Sequence, residues 1–420
     1  MPEPMTLQDD EADWIDAYRK TRAYTEYICS PLETDDYQLQ SIVETSPPKW
    51  HVAHVSWFFE TFLITPFLSG YRPFHPRFGY LFNSYYETVG SMHPRSKRGM
   101  LSRPTVETVY TYRAYVDEHM QALLSSLDNS NRENVLFRLR LGLNHEQQHQ
   151  ELLLMDIKHN FSVNSLAPIY RTDLKVHIGE SRPVHWVEYE DGIRQIGATA
   201  EGFHFDNEAP RHSVLLNAWR LADRLVTNSE YLEFVQDGGY ADPRLWLADG
   251  WHLIQQHDWR HPLYWSGSGG EWQEFTLGGI RPLGPDQPVP HVSFYEADAY
   301  ARWAGKRLPT EAELECALTT QPLQGNFADS DYLHPRPATD QGQWFGDLWN
   351  WTSTPYSAYP GFKPLEGAIG EYNGKFMANQ IVLKGGCCAT PAGHTRASYR
   401  NFFYPHDRWV FSGLRLADDT

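Results

Sequence analysis

Residues Leu141–His159 read LGLNHEQQHQELLLMDIKH. The stretch has no proline, no glycine after Gly142, and many strong helix formers, so it predicts a helix. His145 and His149 are four apart and share one helical face a turn apart, where two imidazoles can grip one metal ion. Gln148 lies at the edge of that face. Glu151 points roughly 140° from the midline of the pair at 3.6 residues per turn, which argues against it as a ligand. Two polar histidines on a partly exposed helix would give the same pattern, and two histidines do not complete a site. A third ligand has to come from elsewhere in the chain.

Upstream, Ala12–Cys29 predicts a first helix closed by Ser30-Pro31. A second is predicted over Pro47–Ile64, with Ser46 as N-cap and proline in the first helical position. It carries WHVAHVSWFFETFLI, in which His51 and His54 are three apart on one face. Either could meet His145 and His149 across a helix pair, and spacing does not choose between them. Tyr71–Leu101 is a loop-rich connector holding Tyr85, Tyr86 and the densest basic cluster, Arg95, Lys97 and Arg98. Such a loop is commonly a solvated face, but here it joins helices with candidate ligands, so carboxylate binding is a competing reading. A third helix is expected over Ser102–Leu127, and the polar DNSNREN then leads into the histidine helix. Four helices with ligands on facing surfaces make a known kind of metal-binding bundle.

Beyond Asn160 serine, proline and short apolar runs replace helical periodicity. Asp191-Gly192 in VEYEDGIRQIG predicts a hairpin. Glycine and tryptophan are dense from about Val184 onward, and helices are expected only at Thr227–Gln236, Ser293–Ala304 and Thr310–Leu318. The domain expectation is therefore a helical bundle over 10–165, a linker over 166–184 and an irregular α/β domain over 185–418.

With 420 residues the chain is too long for one ordinary core. A formal charge of −17, from 53 acidic and 36 basic residues, argues against a nucleic-acid backbone as partner. Four cysteines (Cys29, Cys316, Cys387, Cys388) do not form a disulfide framework. The acidic start MPEPMTLQDDEADW lacks the basic and apolar regions of a signal peptide, and no run of about 20 apolar residues occurs. A cytoplasmic location is the expectation.

A series of separated motifs in the C-terminal half carries a family resemblance: IGA at Ile196–Ala198, FHFDNEAPRH at Phe203–His212, VTNSEYLEF at Val226–Phe234, FYEADAYARWAGKRLPTEAELE at Phe294–Glu315, GDLWNWT at Gly346–Thr352, LKGGCC at Leu383–Cys388 and RNFFYPHDRWVFSGLRLA at Arg400–Ala417. It resembles the formylglycine-generating-enzyme or sulfatase-modifying domain, an irregular fold related to C-type lectins. The N-terminal half resembles a DinB-like four-helix bundle ending in HxxxHxE. In this order the two resemble the non-haem iron sulfoxide synthases of ergothioneine biosynthesis, and the implied fold class is α+β.

That resemblance implies Fe(II) held by His54, His145 and His149, because the early family ligand falls in Ala53-His54-Val55; His51 then belongs to the core or lies behind the ligands. It implies that Arg95 and Arg98 anchor the carboxylate of the thiol substrate, and that Gln148, Asn401 and Phe402 contact trimethylated histidine (hercynine). Relatives that use γ-glutamylcysteine have an aspartate where this chain has Phe403, which favours L-cysteine as donor. Tyr85 and Tyr86, in FNSYYE, correspond to the tyrosines that steer cysteine-using relatives towards C–S bond formation. Cys387-Cys388 stands where the family shows serine and tryptophan and is read as structural. The implied partners are hercynine, L-cysteine and dioxygen, with a separate C–S lyase taking the product. Competing readings are γ-glutamylcysteine as donor, an ovothiol-type or selenoneine-type synthase, a thiol dioxygenase, a zinc-dependent transferase built on the bundle, and a lectin-like binding module with no metal.

Overall fold

A computed structural model describes Glu11–Thr420 apart from Ile178, Gly269 and Gly270. The acidic stretch Met1–Asp10, read above for a signal sequence, lies outside those residues. The chain forms two units, the first running to Tyr170 and including Leu365–Tyr372, the second comprising Arg171–Pro364 and Asn373–Thr420.

The first unit is a bundle of four long helices. In Glu11–Cys29, Trp14, Ala17, Tyr18, Thr21, Arg22, Thr25 and Ile28 are buried, the spacing of one helical face. Pro48–Phe59 is buried at every position and is the central helix. Its N-cap is Pro47, one residue later than expected. Ser46 is occupied otherwise: its N–H donates to Asp156 Oδ2 at 2.7 Å and its hydroxyl accepts from Arg98 at 2.9 Å. The helix runs into a π-turn, Glu60–Ile64, where the Glu60 carboxylate accepts from the Tyr112 hydroxyl at 2.6 Å and the Phe74 N–H at 3.1 Å. The third helix, Val106–Ser125, starts later than expected because Thr105 supplies the cap, accepting from Thr108 N–H at 3.1 Å. The histidine helix is longer than its periodic core, spanning Arg132–Ser162.

One buried ion cluster ties these helices together. Glu146 accepts from Arg22 at 2.9 Å, Arg113 at 2.8 Å and Thr25 at 2.6 Å. Burial opposes its ionisation, but the two guanidiniums prevail and hold the carboxyl down at about 2. Gly142, one turn before His145, permits close helix approach, since a Cβ there would lie 2.6 Å from the Phe59 ring.

The second unit contains short sheets. Trp219–Ala222 lies between Trp186–Tyr189 and Ala417–Asp419, antiparallel to both. A four-stranded sheet runs in the order Asn401–Phe403, Ile381–Lys384, Trp349–Pro355, Ser412–Gly413. A core cluster of the second unit gathers Trp219, Leu221, Leu314, Ala317, Leu318, Phe327, Trp344 and Phe345. The Thr227, Ser293 and Thr310 capping boxes start the three expected helices. A further helix, Ala248–His257, was not expected from its glycine-containing sequence; there Gly250 lies against the Tyr295 ring. The Asp191-Gly192 hairpin does not form. Trp186–Tyr189 pairs with Trp219–Ala222, whereas Gly192–Ile196 pairs with His212–Leu216, so the turn passes the chain from one sheet to another. Cys387 and Cys388 are fully buried.

Candidate metal centre

His54 on the central helix and His145 and His149 on the histidine helix converge. One ring nitrogen from each lies within 4.8 Å of the others, and His54 Nε2 is 3.2 Å from His145 Nε2. Two nitrogens each about 2.1 Å from one ion at a right angle would be about 3.0 Å apart, so the spacing suits a shared metal. Glu151 is not in the cluster.

The hydrogen bonds prepare the rings for this. His54 Nδ1 donates to the Phe82 carbonyl at 2.6 Å, which leaves Nε2 as the lone pair. His145 Nδ1 is buried and has no hydrogen-bond partner among the described residues. Burial, followed by the fields of neighbouring imidazoles, pushes His54 and His149 well below the ordinary histidine range. His145 is pushed down to about 3, again chiefly by burial. All three are neutral near pH 7, the form that binds metal. Converging neutral lone pairs repel unless a cation lies among them.

Aromatic walls fix the cluster. His54 is stacked on Trp50 at 4.5 Å and Trp57 at 5.4 Å, and Phe58 lies 4.5 Å from His145.

The connector brings some of the expected residues to this wall. Arg98 is buried, stacks over Trp50 at 3.4 Å, and donates to the hydroxyls of Ser46 and Ser84 at 2.9 and 3.0 Å. None of the described ion pairs gives it a carboxylate, and its Nε has no hydrogen-bond partner among the described residues. Arg95 is exposed and donates to the Glu44 carbonyl. Tyr86 is buried against Trp57 and Phe62, with Tyr85 half-buried beside it at 4.8 Å. Burial raises both phenols above their ordinary range. Gln148 is half-buried on the histidine helix.

Sequence reasoning missed Glu371 and Tyr372. The Glu371 carboxylate accepts from the N–H groups of Glu87 and Thr88 at 3.0 and 2.9 Å and from the Thr88 hydroxyl. The Tyr372 ring stands 5.6 Å from His145 and 6.0 Å from Tyr85. No periodicity could have revealed a pairing 284 residues apart.

Asn401, Phe402 and Phe403 lie on an edge strand of the second unit. The Asn401 side-chain oxygen Oδ1 accepts from Phe402 N–H at 2.9 Å, Phe402 stacks on Tyr356 at 4.0 Å, and Phe403 meets Trp409 edge-on at 5.9 Å.

A helical bundle with a three-histidine cluster, followed in the chain by a sheet-containing domain, defines a two-domain class with a candidate metal centre in its bundle. The DinB superfamily matches residues 17–153 and the sulfatase-modifying factor enzyme 1-like domain residues 180–346. The chain is 32% identical over 340 residues to a hercynine oxygenase of Mycolicibacterium smegmatis, covering 73% of this chain and 78% of that protein. It is 29% identical over 423 residues to the hercynine oxygenase of Mycolicibacterium thermoresistibile, covering 93% and 91% respectively. A formylglycine-generating enzyme of Streptomyces coelicolor is 35% identical over 164 residues, covering 36% of this chain and 50% of that protein. The chain belongs to the hercynine oxygenase family. No helix among the described residues is long and apolar enough to cross a membrane.

Proposed function

We propose that this chain is a cytoplasmic, Fe(II)- and dioxygen-dependent sulfoxide synthase that joins hercynine to L-cysteine, giving S-(hercyn-2-yl)-L-cysteine S-oxide. The observation that carries the reading is the convergence of His54, His145 and His149 in a buried, aromatic-walled site. Fe(II), when bound, supplies electrons to dioxygen and a Lewis-acid site for thiolate and imidazole. In the balanced reaction the imidazole C–H and the thiol S–H are lost, a C–S bond forms, one oxygen stays on sulfur, and the other leaves as water.

The chain's own residues bind and orient. Arg98 is a buried cation without a described carboxylate partner, which suits the substrate's carboxylate; Arg95 adds charge from the surface. Gln148, Asn401 and Phe402 are assigned to hercynine, whose quaternary ammonium has no donor and suits aromatic or dipolar surroundings. Phe403 stands where relatives that use γ-glutamylcysteine carry an aspartate, which supports L-cysteine as the donor. The Tyr85 and Tyr86 phenols, kept protonated by burial, can give a proton to oxygen and steer against simple cysteine oxidation. A separate C–S lyase would consume the product.

Oxygen uptake by the Fe(II)-reconstituted protein tests the reading. L-Cysteine with hercynine should support turnover, while γ-glutamylcysteine, or histidine in place of hercynine, should be poor. Preference for γ-glutamylcysteine would overturn the donor assignment, and preference for histidine or a selenium donor would overturn the substrate class. No oxygen uptake by the wild type with any substrate pair, together with no loss of metal in His145→Ala, would overturn the iron-enzyme reading in favour of a lectin-like binding module.

A further inference from the structure

One ring nitrogen of His149 is held by a second imidazole. His149 Nδ1 lies 2.8 Å from His51 Nδ1, and His51 Nε2 lies 2.8 Å from Asp156 Oδ2. His51 and Asp156 are 3% and 2% exposed, so water does not substitute for either contact. The Ser46 N–H donates to the same Asp156 oxygen at 2.7 Å, which anchors the carboxylate. Helix geometry produces the alignment. Asp156 follows His149 by seven residues, about two turns, and so lies on the same face. His51 precedes His54 by one turn of the facing helix, so that neighbouring rings take different tasks.

The hydrogen-bond chain sets the proton positions for rings that carry one hydrogen each. A carboxylate only accepts, so His51 donates to Asp156 through Nε2, and Nδ1 of the same ring is then the acceptor. Two lone pairs would repel at 2.8 Å, so His149 carries its hydrogen at Nδ1. Its Nε2 is left as a lone pair towards His54 and His145. The reverse polarity would place the hydrogen on the nitrogen needed for coordination.

We propose that His51 and Asp156 are positioning residues that fix His149 as the Nδ1–H tautomer and thereby present Nε2 to a divalent metal. The proposal rests on the three-histidine reading of the centre and adds a part to it. Outer partners of metal-bound histidines typically change metal affinity by about 10- to 100-fold.

The test uses the full chain without metal, titrated with Co(II) as a spectroscopic probe of an Fe(II) site. The wild type should bind one Co(II) with a defined visible spectrum. His51→Phe, which fills the space without accepting a hydrogen bond, should weaken binding by roughly 10- to 100-fold and alter that spectrum. His51→Gln, whose amide oxygen can accept from His149, should recover most of the affinity. Wild-type affinity and an unchanged spectrum in His51→Phe would overturn the proposal while leaving the centre intact. If the wild type itself bound no Co(II), the centre and the proposal would fall together. Nitrogen-15 NMR of the wild-type histidines gives a test that does not depend on a variant folding. A hydrogen on His149 Nδ1 and on His51 Nε2 is expected, and a hydrogen on His149 Nε2 would overturn the proposal.

Discussion

The guanidinium of Arg98 lies 3.4 Å from the centre of the Trp50 ring, and that ring is also stacked on His54 at 4.5 Å. The candidate substrate anchor and a candidate metal ligand are thus held by one side chain. Burial, then the nearby Arg95 charge, depresses the Arg98 pKa, so an incoming carboxylate would relieve an unfavourable buried charge.

Arg98→Met keeps much of the volume and removes the charge. Hydrogen bonds to charged groups contribute about 1.5–3 kcal/mol, so KM for the thiol substrate should rise roughly 10- to 100-fold. Arg95→Met, at an exposed site, should change it by less than about fivefold. Steady-state oxygen uptake, with metal content checked in parallel, measures both. Equal effects would contradict the separate roles given to a buried and an exposed arginine.

Tyr85 is half-buried beside the Tyr372 ring, whereas Tyr86 is packed against Trp57 and Phe62. Tyr85→Phe should keep fold and metal while raising the proportion of cysteine sulfinate relative to sulfoxide. Product ratios by mass spectrometry measure the effect. An unchanged ratio in both Tyr85→Phe and Tyr86→Phe would remove the phenols from the steering step.

Gly142→Ala sets two effects against each other. Alanine favours a helix interior by about 1 kcal/mol, but its Cβ would meet the fully buried Phe59 ring at 2.6 Å. Overpacking of this kind costs about 1–3 kcal/mol, so the variant should be less stable and bind metal more weakly. A denaturation midpoint at or above that of the wild type would show that the two helices tolerate separation.

Burial holds His145 and His394 at about 3, against an ordinary value of 6.5. Between those values the unfolded chain takes up a proton on each that the native protein does not. The metal-free protein should therefore lose stability as pH falls from about 6.5 towards 3, by up to about 1.4 kcal/mol per pH unit for each histidine. Urea midpoints at pH 7 and pH 5 test the sign, which a higher midpoint at pH 5 would contradict.

The HxxxH face of the histidine helix was legible because helical periodicity is local. For the early candidate ligand, spacing left His51 and His54 open, and their contacts differ: His54 joins the histidine cluster, whereas His51 bonds His149 and Asp156. The capping boxes at Thr227, Ser293 and Thr310 were similarly readable from a few residues. Pairings across long separations were not. Asp191-Gly192 has a hairpin's local chemistry, but its flanking strands are claimed by Trp219–Ala222 and His212–Leu216. Glu371 and Tyr372 join the first unit from far along the chain, and nothing in their neighbourhood marks them.

The most direct test is the product formed under labelled dioxygen by the Fe(II)-loaded protein with hercynine and L-cysteine. One hercynine–cysteine adduct carrying a single labelled oxygen on sulfur is expected, formed by the wild type and lost in His54→Ala, His145→Ala and His149→Ala. Cysteine sulfinate alone, or an adduct formed equally well without those histidines, would contradict it.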